Sequence, residues 1–152
     1  MHLRTLRQMG AREYALVLLT IPLIVTVRVA LWLLPSSLIV RFVRRISVSA
    51  PVDRSRPRFD LTTIIWAVEA VSARVPRATC LTQAISAKIL LRWSGLQSDL
   101  CLGVACSVNG VLRAHAWLER EGRTILGGTV ARSMVRLPEL RNDARASATF
   151  SR

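Results

Sequence analysis

Apolar residues change their spacing near residue 99, and this change constrains the fold more than any other feature of the chain. Leu81, Ile85 and Ile89 recur at the helical period between Thr79, which can cap free first-turn amides, and Gly95, suited to a left-handed terminator; together they predict a helix from about 80 to 93. From Leu100 the period is two: Leu100, Leu102 and Val104 alternate with Cys101, Gly103 and Ala105. Asn109-Gly110 is a hairpin signal, residues 111–119 (VLRAHAWLE) return as a second strand, and Glu121-Gly122 turns the chain again into 124–128. A helix followed by a three-stranded antiparallel meander is an α+β layout.

Upstream, LTTIIWAVEAVSAR predicts a helix over 61–74 with Ile64, Ile65, Val68 and Val71 near one face, closed by Pro76. Residues 51–60 (PVDRSRPRFD) hold two prolines, several charges and little apolar content, the composition of a linker. Residues 15–34 form a 20-residue apolar stretch, long enough to span a bilayer core but interrupted by Pro22 and Arg28. Two helices are predicted, about 10–33 and 36–46, divided at Pro35-Ser36; they either pack on the domain or lie at a membrane surface. Arg4, Arg7 and Arg12 precede the stretch and Arg41, Arg44 and Arg45 follow it, so the flanking charge chooses no orientation. No small-residue cleavage site closes the stretch, which argues against a signal peptide. The expected organisation is an apolar, Arg-flanked helical region at 1–50, a linker at 51–60, a domain at 61–140 carrying an apolar patch (Met134, Val135, Leu137, Leu140), and a flexible tail at 141–152.

With 152 residues, 51% of them hydrophobic, the chain can bury a core, which excludes intrinsic disorder. Its 22 basic residues, all arginine except Lys88, outnumber 9 acidic ones, but the excess is spread along the chain rather than clustered. That distribution argues against a nucleic-acid partner and suits an anionic membrane surface or an acidic peptide. Cys80, Cys101 and Cys106 are an odd number without C-x-x-C spacing, and only His2 and His115 accompany them. Neither a disulfide framework nor a metal site is expected, and a reducing cytoplasm is the simpler setting.

Cys80 falls in the first turn of its predicted helix, where free backbone N–H groups and the positive end of the dipole favour a thiolate. His115 is the one histidine inside the predicted domain and lies on a strand that must pack on that helix. The pair can serve as nucleophile and base; equally, a lone cysteine and a lone histidine can be ordinary core residues. The Cys80 N–H is a better oxyanion donor than Gln83, one turn later. Trp117, on the face of His115, either lines a substrate groove or packs against a cross-strand neighbour, and Cys101 and Cys106 are most simply core thiols.

The segment WAVEAVSARVPRATCLTQAISAKILLRWSGLQSDLCLGVA followed by AHAWLEREGRTILGG resembles the transglutaminase-like cysteine peptidases that mature lasso peptides, the B2-type leader peptidases. The resemblance covers about residues 29–140, and its order is R-x-P-x-x-x-C-L, then G-V, then H-A-W-x-E. It implies a papain/transglutaminase-like core with a nucleophile-bearing helix packed on a small antiparallel sheet. It also implies that Cys80 is the nucleophile and His115 the general base and acid, with no cofactor required. Partners implied are a precursor peptide bearing a leader, a separate leader-recognition protein and an ATP-dependent macrolactam synthetase, the lasso cyclase. The setting implied is cytoplasmic, with peripheral membrane association open. Two alternatives stand beside leader cleavage: a non-catalytic, membrane-associated assembly subunit, and a transglutaminase-like acyltransferase. The chain departs from the family at the third catalytic position, because a hairpin at Glu121-Gly122 would set His115 opposite Gly128, where no acid stands. Glu119 shares the face of His115 but lies four strand residues, roughly 13 Å, away. Asp143, Glu139, a backbone carbonyl or a bare Cys-His dyad are the remaining options.

Overall fold

The computed structural model describes residues 10–33, 35, 38, 41, 58–76, 78–106, 112–128 and 134–136. Among the described residues, helices α1 (Ala11–Leu33), α2 (Leu61–Ser72) and α3 (Cys80–Trp93) precede strands β1 (Asp99–Cys106), β2 (Leu112–Arg120), β3 (Arg123–Leu126) and β4 (Val135–Arg136). The sheet is antiparallel, in the order β3-β2-β1-β4. The layout is therefore α+β, with one strand more than the meander expected from sequence. The predicted linker (apart from residues 58–60), almost all of the 36–46 helix, the Asn109-Gly110 turn and the tail lie outside the described residues.

Local chemistry accounts for the helix ends. Asp60 caps α2 by accepting from the backbone N–H and the hydroxyl of Thr63, and Thr79 caps α3 by accepting from Thr82 N–H at 3.4 Å. Gly95, at φ 80°, ends α3 in a Schellman motif. Its own N–H donates to Arg92 O at 3.0 Å and Leu96 N–H to Leu91 O at 2.8 Å, while Leu96 packs on the core. α1 runs unbroken through Pro22. The expected α2 face is buried at Ile64, Val68 and Val71 and half-buried at Ile65.

One face of the sheet packs on α3. Leu100 and Leu118 face each other across β1 and β2, as do Leu102 and Ala116, and they join Leu126, Ile85, Leu90 and Leu91 in a single apolar cluster. α1 and α2 pack on α3, and Leu16, Ile24 and Val27 carry the core into α1. Lys88, on buried α3, donates to Ser98 O at 2.6 Å and so anchors the loop into β1; its burial lowers its pKa.

The opposite face carries Cys101 and Gly103 on β1 and His115, Trp117 and Glu119 on β2. Trp117 is 1% exposed and lies across Gly103, where a Cβ would stand 2.8 Å from the indole Cη2 and Cζ3 atoms. Only glycine leaves room for that ring. Gly103→Ala is therefore expected to destabilise the fold by about 1–3 kcal/mol, read as a lower denaturant midpoint, since a fully buried indole has nowhere to shift. An unchanged midpoint would show that Trp117 repacks freely.

Candidate active site

Cys80 is the first residue of α3, half-buried against the apolar cluster. Thr79 satisfies the Thr82 amide and the first helical bond runs from Gln83 N–H to Thr79 O, so the Cys80 and Leu81 amides have no partner within the helix. Amides unpaired within the helix and the positive dipole end together suit an oxyanion formed one bond beyond the sulfur. Gln83 uses its amide in the helix and its side chain is half-buried.

His115 sits half-buried on β2, where its Nε2 lies 3.0 Å from Gly127 O. A carbonyl only accepts, so Nε2 carries the hydrogen in that bond and Nδ1 is the basic nitrogen of the neutral ring. The acceptor is placed by an unusual turn. Glu121 and Gly122 both have positive φ, 52° and 77°, as a tight hairpin of right-handed twist requires. Arg120 pairs with Arg123 and Glu119 with Thr124, but Leu118 pairs with Leu126, so Ile125 is an extra residue bulged out of β3. This bulge corrects the expected register: His115 does not pair with Gly128. Its nearest β3-side partner is the Gly127 carbonyl. Gly127 has φ 77°, and a Cβ there would meet His115 Nε2 at 3.1 Å and Ala116 O at 3.2 Å.

No carboxylate bonds the imidazole among the described residues. Asp143 and Glu139 lie outside them. Glu119, as the spacing anticipated, does not reach His115. Its Oε1 accepts from Trp117 Nε1 at 2.8 Å and from the Arg136 guanidinium, which also lies over the indole with its carbon 5.6 Å from the ring centroid. Trp117 in turn stacks with the imidazole at 6.3 Å between centroids, 16° from parallel. The cross-strand reading of Trp117 is the one the burial supports. Arg136 was not legible as part of this cluster, because a two-residue strand carries no alternation; the Gly127-Gly128 pair was the only signal of the carbonyl.

Cys80 and His115 are not hydrogen-bonded to each other in this structure. α3 packs on β2 through Ala116 and Leu118, whereas His115 alternates to the other face. Among the described residues the ladder between β2 and β3 ends at Leu118 and Leu126. Cys101 is half-buried beside Glu119; burial, followed by the Glu119 charge, pushes its thiol up to about 11. It is a thiol at neutral pH, not a nucleophile. The Cys106 side chain lies outside the description. Among the described residues no three His, Cys, Asp or Glu side chains converge as a metal set.

Burial works against the Glu119 charge, but the bonds from Trp117 and Arg136 outweigh it and hold the carboxyl below its usual 4.5. A depressed carboxyl contributes stability above its unfolded pKa and loses it as pH falls through the folded value. Thermal midpoints are therefore expected to drop as pH falls below 4.5, and Glu119→Gln is expected to flatten part of that drop. An equal acid response in the variant would remove Glu119 as its source.

The family model for the transglutaminase-like superfamily matches residues 23–137, and the chain belongs to that superfamily. Its members include cysteine peptidases and acyltransferases. No curated protein and no solved structure matches the chain.

Proposed function

We propose that the chain is a cysteine leader peptidase of lasso peptide maturation, acting on a ribosomally made precursor through a thioester. The observation that carries this reading is Cys80 as the first residue of the Thr79-capped helix α3, in a transglutaminase-like chain. The Nε2 bond of His115 to Gly127 O, which leaves Nδ1 as the basic nitrogen, supports it. On this reading, substrate binding must bring together the Cys80 thiol and Nδ1, which are not bonded to each other in this structure; catalytic hydrogen bonds often form only in the complex. The thiol proton passes to Nδ1, and sulfur attacks the scissile carbonyl. The oxyanion is held by the Cys80 N–H. Collapse breaks the C–N bond, the imidazolium protonates the leaving amine, and the leader remains as a thioester. Water, deprotonated by His115, then releases the leader and restores the thiol. Gly127 O takes the place of an acid, holding the ring by its Nε2–H. A separate leader-recognition protein delivers the precursor, and an ATP-dependent macrolactam synthetase closes the ring of the core.

The test is mass spectrometry of precursor incubated with this protein and the recognition protein, with and without hydroxylamine. Leader cleavage, and a leader hydroxamate when hydroxylamine intercepts the thioester, are expected. Transfer to added amines in preference to water would make the chain an acyltransferase. A second reading, a non-catalytic assembly subunit, is favoured by the absence of a Cys80–His115 bond and, among the described residues, of a carboxylate at the imidazole. Intact precursor in every arm would support it.

A further inference from the structure

The helix α1 is apolar on two sides, and among the described residues only one of them is covered. Leu16, Ile24 and Val27 are buried against α2 and α3, with Thr20 between them donating its hydroxyl to Leu16 O at 2.7 Å. The other side exposes Tyr14, Leu18, Ile21, Val25, Val29 and Trp32, with Leu18 68% and Trp32 77% exposed. At 100° per residue these six fall within one stripe about 80° wide. From Tyr14 to Trp32 the stripe is about 27 Å long. A continuous apolar face of that size on an otherwise solvated helix marks an interaction surface.

We propose that this stripe docks the protein on an anionic lipid surface, with α1 lying in the plane of the interface. Three features choose that occupant over a second copy of the chain. The stripe ends in Tyr14 and Trp32, aromatic side chains with a polar edge suited to the headgroup level. Arg12 precedes it and half-exposed Arg28 borders it, in a chain of net charge +13. Two such faces brought together would repel, whereas anionic headgroups attract them and the long arginine stems reach outward from an apolar face. Two further features choose lying over spanning, although α1 is long and apolar enough to cross a bilayer. Its other face is the core contact with α2 and α3, so a spanning helix would take the domain with it. Pro22 also lacks an N–H for the carbonyl of Leu18, and both residues are on the exposed side. Interfacial water can satisfy that carbonyl; the hydrocarbon core cannot.

The test is flotation of the full-length protein with phosphatidylcholine vesicles, with and without phosphatidylglycerol, at low and high salt. Wild type is expected to float with the anionic vesicles at low salt and to detach in alkaline carbonate. Ile21→Glu/Val25→Glu is expected to float at least about tenfold less. Its thermal midpoint should be unchanged, because both side chains are exposed. Trp93→Glu, at an exposed site on α3, is expected to float like wild type. Three results would overturn the proposal: equal flotation of the double variant, carbonate-resistant membrane retention of wild type, or a wild-type dimer that ignores vesicles and becomes monomeric in the double variant.

Discussion

Cys80→Ala is expected to abolish leader cleavage, by about a thousandfold or more, while the thermal midpoint stays near that of wild type. The size follows from covalent catalysis: without sulfur no thioester forms, and the remaining groups can only orient water. The small effect on folding follows from position. Cys80 is half-buried at the edge of the apolar cluster, α3 is capped by Thr79, and alanine is a good residue in a first turn. Cys101→Ala is the control. Its thiol is held up near 11 by burial and by Glu119, so it supplies no thiolate at neutral pH, and cleavage should persist. Mass spectrometry of the precursor after fixed times measures both. Wild-type rates in Cys80→Ala would remove the nucleophile, and equal loss in Cys101→Ala would trace the effect to folding.

What the sequence made legible was what local chemistry decides. Thr79 and Gly95 fix α3 because a cap and a left-handed terminator act within a few residues, and both helix ends fall where those residues stand. Glu121-Gly122 likewise fixes a hairpin through its own backbone. The superfamily was legible through the order of Cys80, His115, Trp117 and Glu119, and the family match over residues 23–137 bears out that level. Two things were not legible, both set by tertiary packing. The bulge at Ile125 breaks the simple hairpin register and the β2–β3 ladder ends at Leu118 and Leu126, so the carbonyl that meets the His115 side chain, that of Gly127, is not one that counting across the turn gives. β4 exists because Val135 and Arg136 add to the edge of β1, and the guanidinium of Arg136 meets Trp117 and Glu119 there. Two residues carry no period by which to recognise a strand.

His115→Ala is expected to cost about as much as Cys80→Ala, and the double variant no more than either, because members of one catalytic unit fail together. The comparison that tests the geometry adds two further variants. Gly127→Ala should come next in severity, about tenfold to a hundredfold in kcat. A Cβ there would crowd Nε2 at 3.1 Å and strain a backbone at φ 77°, so the carbonyl that fixes the tautomer moves. Glu119→Gln should cost far less, less than about tenfold, since glutamine keeps an oxygen for Trp117 Nε1 and loses only the charge facing Arg136. The order His115→Ala, Gly127→Ala, Glu119→Gln, read as kcat on the precursor, separates a carbonyl-oriented imidazole from one that depends on an acid. If Glu119→Gln were as damaging as His115→Ala, the carboxylate would be acting on the imidazole and the Gly127 carbonyl would not be its orienting partner.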